Sequence, residues 1–385
     1  MTPGGIYVPL PSLSGGRQKL EPKHYDYIDA LRGYAILMVI AVHSSQYFDN
    51  LSPTTAALAG QGARGVQLFF VASAMTLCMS WKARHDGVMA FYIRRFFRIA
   101  PMFYLTLPVF LYFRGWGPSM YAPDGIGLRH ILMSITFTHG FMPDTITSVV
   151  PGSWSIADEM MFYAIFPLLM AIRVRISFNT AALLTALATI LCVVLQHSLA
   201  GAAGRIADSA WRGAWATFYF LWLVNQLPCF LFGILVARWI EEKNKVRWPA
   251  VLVLGSIGLG VWVTLFPDTV PLLGKLIVPA QAGLLFAAFA LGLSKWQPGL
   301  LVNPIIGWIG KVSYSGYLLH LLIITSGLNF PRENFAVAFI SLTAITVGFS
   351  TITYLSVEKP FNRLGRRLAQ YFLPETAISE PSGLV

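Results

Sequence analysis

Apolar residues run along this chain in long blocks joined by short polar connections. Ten blocks approach the roughly 20 residues that a bilayer-spanning helix needs: 31–48, 66–81, 96–113, 153–172, 180–198, 214–239, 249–267, 273–293, 305–327 and 335–357. An eleventh block, near 128–141, carries His130 and His139 and is about 14 residues long, which suits an interfacial or re-entrant segment better than a span. The pattern predicts an all-α polytopic membrane protein with about ten transmembrane helices. Residues 1–24, with Pro3, Pro9, Pro11 and Gly15–Gly16, read as a flexible tail without the order of a signal peptide. Residues 25–368 form the expected membrane domain, and 369–385 a second polar tail.

Composition sharpens this picture. The 385 residues are 56% hydrophobic and only 12% charged, against about 25% charged in an ordinary soluble domain. A water-facing surface of this size could not be covered, which excludes a soluble globular enzyme, a disordered chain and a secreted disulfide scaffold. Cys78, Cys192 and Cys229 all lie in apolar blocks without metal-ligand spacing, so they are expected to be buried thiols and no metal is expected. The net charge of +11 follows the excess of Lys and Arg on cytoplasmic loops of membrane proteins and carries no implication of nucleic acid. Threading ten helices from a cytoplasmic N-terminus puts most of that charge inside. The cytoplasmic side receives Arg17, Lys19, Lys23 and Arg32, the 82–98 cluster, Arg173, Arg175, the basic residues of 238–247, and those of 359–367. Arg64, Arg114, Arg129, Arg205, Arg212, Lys275 and Arg332 fall outside. Both termini are then cytoplasmic, and no internal repeat is evident.

Ionisable residues inside the apolar blocks are the candidates for chemistry, because lipid penalises them. In the first helix Arg32 and His43 are eleven residues apart, so they share a face about 16 Å apart along the axis. A snorkelling Arg and a hydrogen-bonded core His would look the same. The fourth block carries Trp154, Ser155, Asp158 and Glu159 near the outer side. Its adjacent carboxylates diverge by about 100°, whereas Ser155 and Glu159 share a face; an interhelical ion pair is the plain alternative. Ser313, Tyr317 and His320 follow helical spacing in the ninth block, as a hydrogen-bonded seam also would. Arg94, Arg95 and Arg98, beside aromatic residues and expected at a helix start, suit phosphate binding through bidentate hydrogen bonds and the helix N-terminus. Topology-setting charge or lipid headgroup binding explains them equally well.

In order, these residues resemble acyltransferase family 3, the integral membrane O-acyltransferases of bacterial surface glycans. The resemblance runs from Tyr27–Gly33, with Arg32 and His43, through Gly65–Ser73 and the Arg94, Arg95, Arg98 cluster with Ile99 and Pro101. It continues through His139–Phe141, Trp154–Pro167, Leu227–Gly233, Ser313–His320 and Val357–Pro360. Departures are Gln67 in place of the usual Asp, Ala74 in place of Gly, and Met160 and Met161 in place of Glu and Gln. Asp158 occupies a usually apolar position. The resemblance implies transfer of an acyl group, most often acetyl, from acyl-CoA (acetyl-CoA) to a hydroxyl of a glycan or related acceptor, in a bacterial inner membrane among its lipids. His43 would be the catalytic base, with Glu159 orienting it. Arg94, Arg95 and Arg98 would hold the CoA phosphates and Arg32 would line the thioester path. Trp154, Ser155, Asp158, Tyr317 and His320 would line the acceptor side. Direct transfer and a transient acyl group on His43 remain open. The rival is a secondary transporter or flippase; such folds tend to carry inverted repeats and paired broken helices.

Overall fold

The computed structural model describes residues 25–48, 50–84, 87–269, 279–325 and 334–372; the expected tail at 1–24 and most of that at 369–385 lie outside them. Among the described residues the chain is helical, with no extended strand. We number the helices α1 (Asp26–Ser45), α2 (Pro53–Gly60), α3 (Gly65–Arg84), α4 (Val88–Arg114), α5 (Leu128–Ile135), α6 (Trp154–Arg173), α7 (Phe178–Ala203) and α8 (Ser209–Leu221). They continue with α9 (Leu223–Glu241), α10 (Pro249–Leu265), α11 (Pro279–Leu293), α12 (Pro304–Lys311), α13 (Ser313–Thr325), α14 (Phe335–Thr353) and α15 (Lys359–Gln370). Local signals set several starts. Ser52, Ser177, Asp208, Asn303 and Asn334 each accept a first-turn backbone N–H, which satisfies donors a helix start leaves unpaired.

Among the described residues, seven helical stretches are long and apolar enough to cross a membrane: α1, Pro53–Ala83, α4, α6, α7, Ser209–Glu241 and Phe335–Gln370. The other three expected blocks coincide with shorter apolar helices, α10, α11 and α13. Two expected spans are interrupted. The 214–239 block breaks at Trp222, whose ψ of 147° separates α8 from α9. The freed carbonyl of Phe220 accepts from Asn225 Nδ2 at 2.7 Å and Gln226 Nε2 at 2.9 Å, the internal satisfaction that backbone needs in hydrocarbon. The 305–327 block is divided at Val312 into α12 and α13. The 128–141 block holds only α5 and a short turn at His139–Phe141, too little to cross a bilayer. Cys78, Cys192 and Cys229 are free and buried, as expected.

Helix α1 is the central strut, packed against α12, α3 and α14, while α3 packs on α9 and α15 on α4. Glycine makes the closest approaches possible. A Cβ at Gly310 of α12 would lie 1.8 Å from the Asp29 carbonyl oxygen, and one at Gly62, just before α3, 2.0 Å from that of Met38. The two sites grip α1 near its opposite ends. The ends of α3, α6 and α9 are tied by charge: Arg173 Nη2 lies 2.7 Å and Lys82 Nζ 3.7 Å from Glu241 Oε2, and Arg238 pairs with Glu242 at 2.7 Å. Hydrogen bonding to Arg238 holds the Glu242 carboxyl below the usual carboxylate range.

Adding a methyl where there is no room costs about 1–3 kcal/mol. Gly310→Ala and Gly62→Ala should each lower stability by that amount in thermal unfolding of the purified protein, whereas Gly299→Ala, where a Cβ meets nothing within 4 Å, should leave it unchanged.

Candidate active site

Arg32, Arg98, Ser155, Glu159 and Tyr317 of the expected site residues line one small cavity, and the others lie outside it. The cavity, of about 60 Å³, is lined among others by Arg32, Ser73, Arg98, Ser155, Glu159 and Tyr317. Five helices supply these side chains, so the structure brings together residues that are up to 285 positions apart in sequence. Arg32 Nη2 donates to Thr76 Oγ1 at 3.0 Å, and its Nη1 lies 3.9 Å from Asp29 Oδ1. Among the described residues Glu159 is the one carboxylate lining the cavity. It accepts from the hydroxyls of Ser73 and Tyr163, neither of which was singled out from the sequence. Tyr163 lies four residues on from Glu159, a helical neighbour that spacing could have flagged. Ser73 comes from another helix and left no such signal.

The arginine cluster is arranged differently from expectation. Helix α4 starts at Val88 behind Gly87, more than a turn before Arg94, so the cluster does not sit at the helix N-terminus and the free amides there are not part of it. Arg98 reaches the cavity. Arg95 stacks its guanidinium over the rings of Phe91 (5.7 Å) and Tyr163 (5.9 Å), a cation–π arrangement that favours a partly desolvated cation. Arg94 is half-buried on the same helix and is not a cavity wall. Glu358 was also missed: it lies in a π-helical turn, Tyr354–Glu358, is buried, and accepts from both the backbone N–H and hydroxyl of Ser315. It adds negative charge close to Arg98.

His43 is in the last turn of α1 and is not a wall of that cavity. Its Nδ1 is 3.2 Å from Gln46 Oε1, and its ring is 5.2 Å from that of His320, centroid to centroid. The structure therefore sets His320 beside His43, and sets Glu159 against Ser73 and Tyr163 instead. His320 Nδ1 is 3.2 Å from the Gly316 carbonyl oxygen. A carbonyl only accepts, so that nitrogen carries the proton and Nε2 keeps its lone pair. Nε2 is buried without a protein partner. The His320 ring is 5.7 Å from that of Tyr317, and the Tyr317 hydroxyl donates to the Gly152 carbonyl and accepts from Ser155, each at 2.9 Å. A run of His43, His320, Tyr317 and Ser155 thus leads from the end of α1 to the cavity wall.

Two further expected residues lie to the side. Trp154 meets the cavity-lining Phe70 edge-on at 6.0 Å. Asp158 is fully buried, is absent from the cavity lining, and sits beside the Leu223 amide at the start of α9, where the helix dipole favours an acid. His130 and His139 brace the 128–141 segment. His130 accepts from Gly127 N and lies 3.4 Å from Asp144; His139 donates from Nε2 to the Ser153 carbonyl at 3.1 Å. Burial pushes the His139 imidazole down to about 4, so it is a neutral structural link to α6. No group of three or more His, Cys, Asp or Glu that could hold a metal occurs among the described residues.

A family model described as an acyltransferase domain matches residues 25–355. The chain belongs to acyltransferase family 3. It is 27% identical to Acyltransferase MdmB of Streptomyces mycarofaciens over 97% of both chains. It is 24% identical to a Staphylococcus aureus (strain COL) protein provisionally named O-acetyltransferase SACOL0978, over 88% of this chain and 57% of that longer one. No solved structure matches. The protein is an acyltransferase, and its long apolar helices make it a membrane-embedded one.

Leaving hydrogen-bond donors without their partner costs about 1–3 kcal/mol. Glu159→Ala should lower the stability of this acyltransferase by that order, because the hydroxyls of Ser73 and Tyr163 then lose their acceptor. Ser73→Ala, which removes one donor, should cost about 1 kcal/mol. Thermal unfolding in detergent measures both.

Proposed function

We propose that this acyltransferase moves an acyl group, acetyl in the simplest case, from cytoplasmic acyl-CoA to a hydroxyl of a glycan or related acceptor at the far side of a bacterial inner membrane. The observation that carries this reading is the row of packed side chains from an arginine-lined cavity, through Tyr317 and His320, to His43. The O-acetyltransferase name of the Staphylococcus aureus relative supports acetyl as the group. We read the ten apolar helices as ten crossings, with residues 25 and 372 on the cytoplasmic side. The ion pairs joining Lys82, Arg173 and Arg238 to the α9 end support one basic, cytoplasmic end, and the Phe372 carbonyl oxygen lies 4.0 Å from where a Gly87 Cβ would be.

On this reading Arg98 and Arg32 hold donor phosphates or line the arm's path at the cavity, with Arg94 and Arg95 adding positive charge along α4. Glu159 and Glu358 keep those guanidiniums compensated while no donor is bound. An Nδ1–H of His43 donating to Gln46 leaves Nε2 as the base. It takes the acceptor hydroxyl's proton as that oxygen attacks the thioester carbonyl, and it returns the proton to the departing CoA thiolate. A neutral imidazole can take a proton and then return it, as both steps require. His320 Nε2, Tyr317 and Ser155 offer hydrogen bonds to the acceptor beside it, with Trp154 at the edge. Asp158, turned to α9, is left with a supporting role.

Membranes containing the protein, given labelled acetyl-CoA and surface glycan, should release free CoA and form an alkali-labile ester. Solute uptake along an ion gradient without CoA release would instead identify a transporter. His43→Ala should abolish ester formation while the protein still accumulates; wild-type activity in that variant would remove His43 from the mechanism. Loss of a charge-assisted phosphate contact is worth about 1.5–3 kcal/mol, so Arg98→Ala should raise the KM for acyl-CoA about ten- to hundredfold, read from initial rates.

A further inference from the structure

A larger cavity, of about 430 Å³, lies behind α1 and α3, away from the arginine cavity. Its walls include Tyr34 and Met38 of α1 and Leu68 of α3. Steps of 100° per residue put these on faces roughly opposite Arg32 and Phe70. The remaining walls come chiefly from α10 and α11 and from the Gln61–Arg64 turn. The volume falls within the range of ligand pockets, about 300–1,000 Å³.

Its chemistry is graded along its length. At one end are Arg64 and Gln61, with Gln281 in the first turn of α11 and Thr264 in the last turn of α10. At the other, Phe289, Ile257 and Leu301 are apolar or turn apolar atoms inward. Gln281 to Phe289 spans about 12 Å of helix. Several polar walls are already satisfied by their own backbone surroundings: Tyr34 donates to the Leu301 carbonyl, Ser256 to that of Leu252 and Thr264 to that of Gly260. Arg64 is not. It has no ion-pair partner among the described residues, its Nε is buried without a hydrogen bond, and its guanidinium lies 6.0 Å from the centre of the Phe220 ring. A partly buried guanidinium without a counter-charge among the described residues calls for an anion. Leu58, Leu259 and Val261 line the cavity and are also exposed on the bundle surface, so it opens where hydrocarbon surrounds the protein.

We propose that this cavity holds an acyl chain of an anionic membrane phospholipid, with the lipid phosphate paired to Arg64. A polar mouth leading to an apolar slot matches the headgroup-to-tail order of a lipid. The open side admits the second chain to the bilayer. This site is independent of the acyl-transfer chemistry, since none of its walls belongs to the arginine cavity or to the His43–His320 pair.

The full-length protein, delipidated in detergent, can be titrated with phosphatidylglycerol, with diacylglycerol, which has the same acyl chains but no phosphate, and with the glycerophosphoglycerol headgroup without acyl chains, and bound lipid counted by native mass spectrometry. Wild type should bind phosphatidylglycerol about tenfold more tightly than diacylglycerol, the size of one charge-assisted contact, and should not retain the bare headgroup. Arg64→Gln should bring phosphatidylglycerol down to the diacylglycerol value. Ala282→Trp, which fills the slot, should weaken both lipids. Leu285→Trp, on the same wall, serves as a second filling variant if the first does not fold, with size-exclusion profiles checking each. Equal binding of the two lipids by wild type, an unchanged preference in Arg64→Gln, retention of the bare headgroup, or full lipid binding by a folded filled variant would each overturn the proposal.

Discussion

A guanidinium carried into a bilayer has to be met by charge, hydrogen bonds or rings, and the polar centre of this protein is arranged around that demand. Arg32, Arg95 and Arg98 come from two helices and converge on one region. What answers them is spread over the rest of the bundle: Glu159 from α6, Glu358 from the turn before α15, Thr76 from α3, Asp29 from α1, and the rings of Phe91 and Tyr163. The carboxylates are in turn fixed by hydroxyls, Ser73 and Tyr163 for Glu159 and Ser315 for Glu358. Six helical elements are registered against one another by this arrangement. The π-helical turn belongs to the same account. Such turns are rare and cluster at functional sites, and this one carries the buried Glu358.

Much of the architecture was legible because hydrocarbon imposes a simple pattern. Every apolar block is helical where it is described, two of them as pairs of helices, and the short 128–141 block holds only α5 and a turn. The interruptions at Trp222 and Val312 were not legible. Residues on either side of Trp222 are as apolar as any span, and the break is tolerated because Asn225 and Gln226 turn back to the Phe220 carbonyl, a compensation visible only in three dimensions. The same limit applied to the site. Spacing along single helices put Arg32 with His43 and Ser155 with Glu159 on shared faces. It could not say that the ring beside His43 would be His320, or that Glu159 would be engaged by Ser73 from another helix. Asp158 shows the converse: an acid in an apolar block drew attention as chemistry, yet it lies beside the start of α9, at a break the apolar pattern did not reveal.

The proposed reaction would divide its labour between the two ends of α1. Arg32, toward one end, lines the charged cavity, and His43, at the other, packs against the His320 ring. A base for proton transfer and the guanidiniums that would hold a phosphate-bearing donor then lie in separate surroundings. Keeping Arg32 and His43 on a single helix separates the two environments without losing their alignment.

The glycine contacts at Gly310 and Gly62 give that alignment a further meaning. Backbone is pressed directly on backbone near both ends of α1, so the helix has little freedom to slide or bend between Arg32 and His43. The segment then behaves as a ruler whose gradations are peptide units. On the proposed reaction it would read the length of the donor's arm, rejecting molecules whose reactive carbon falls short of the imidazole or overshoots it, however well their charged end fits.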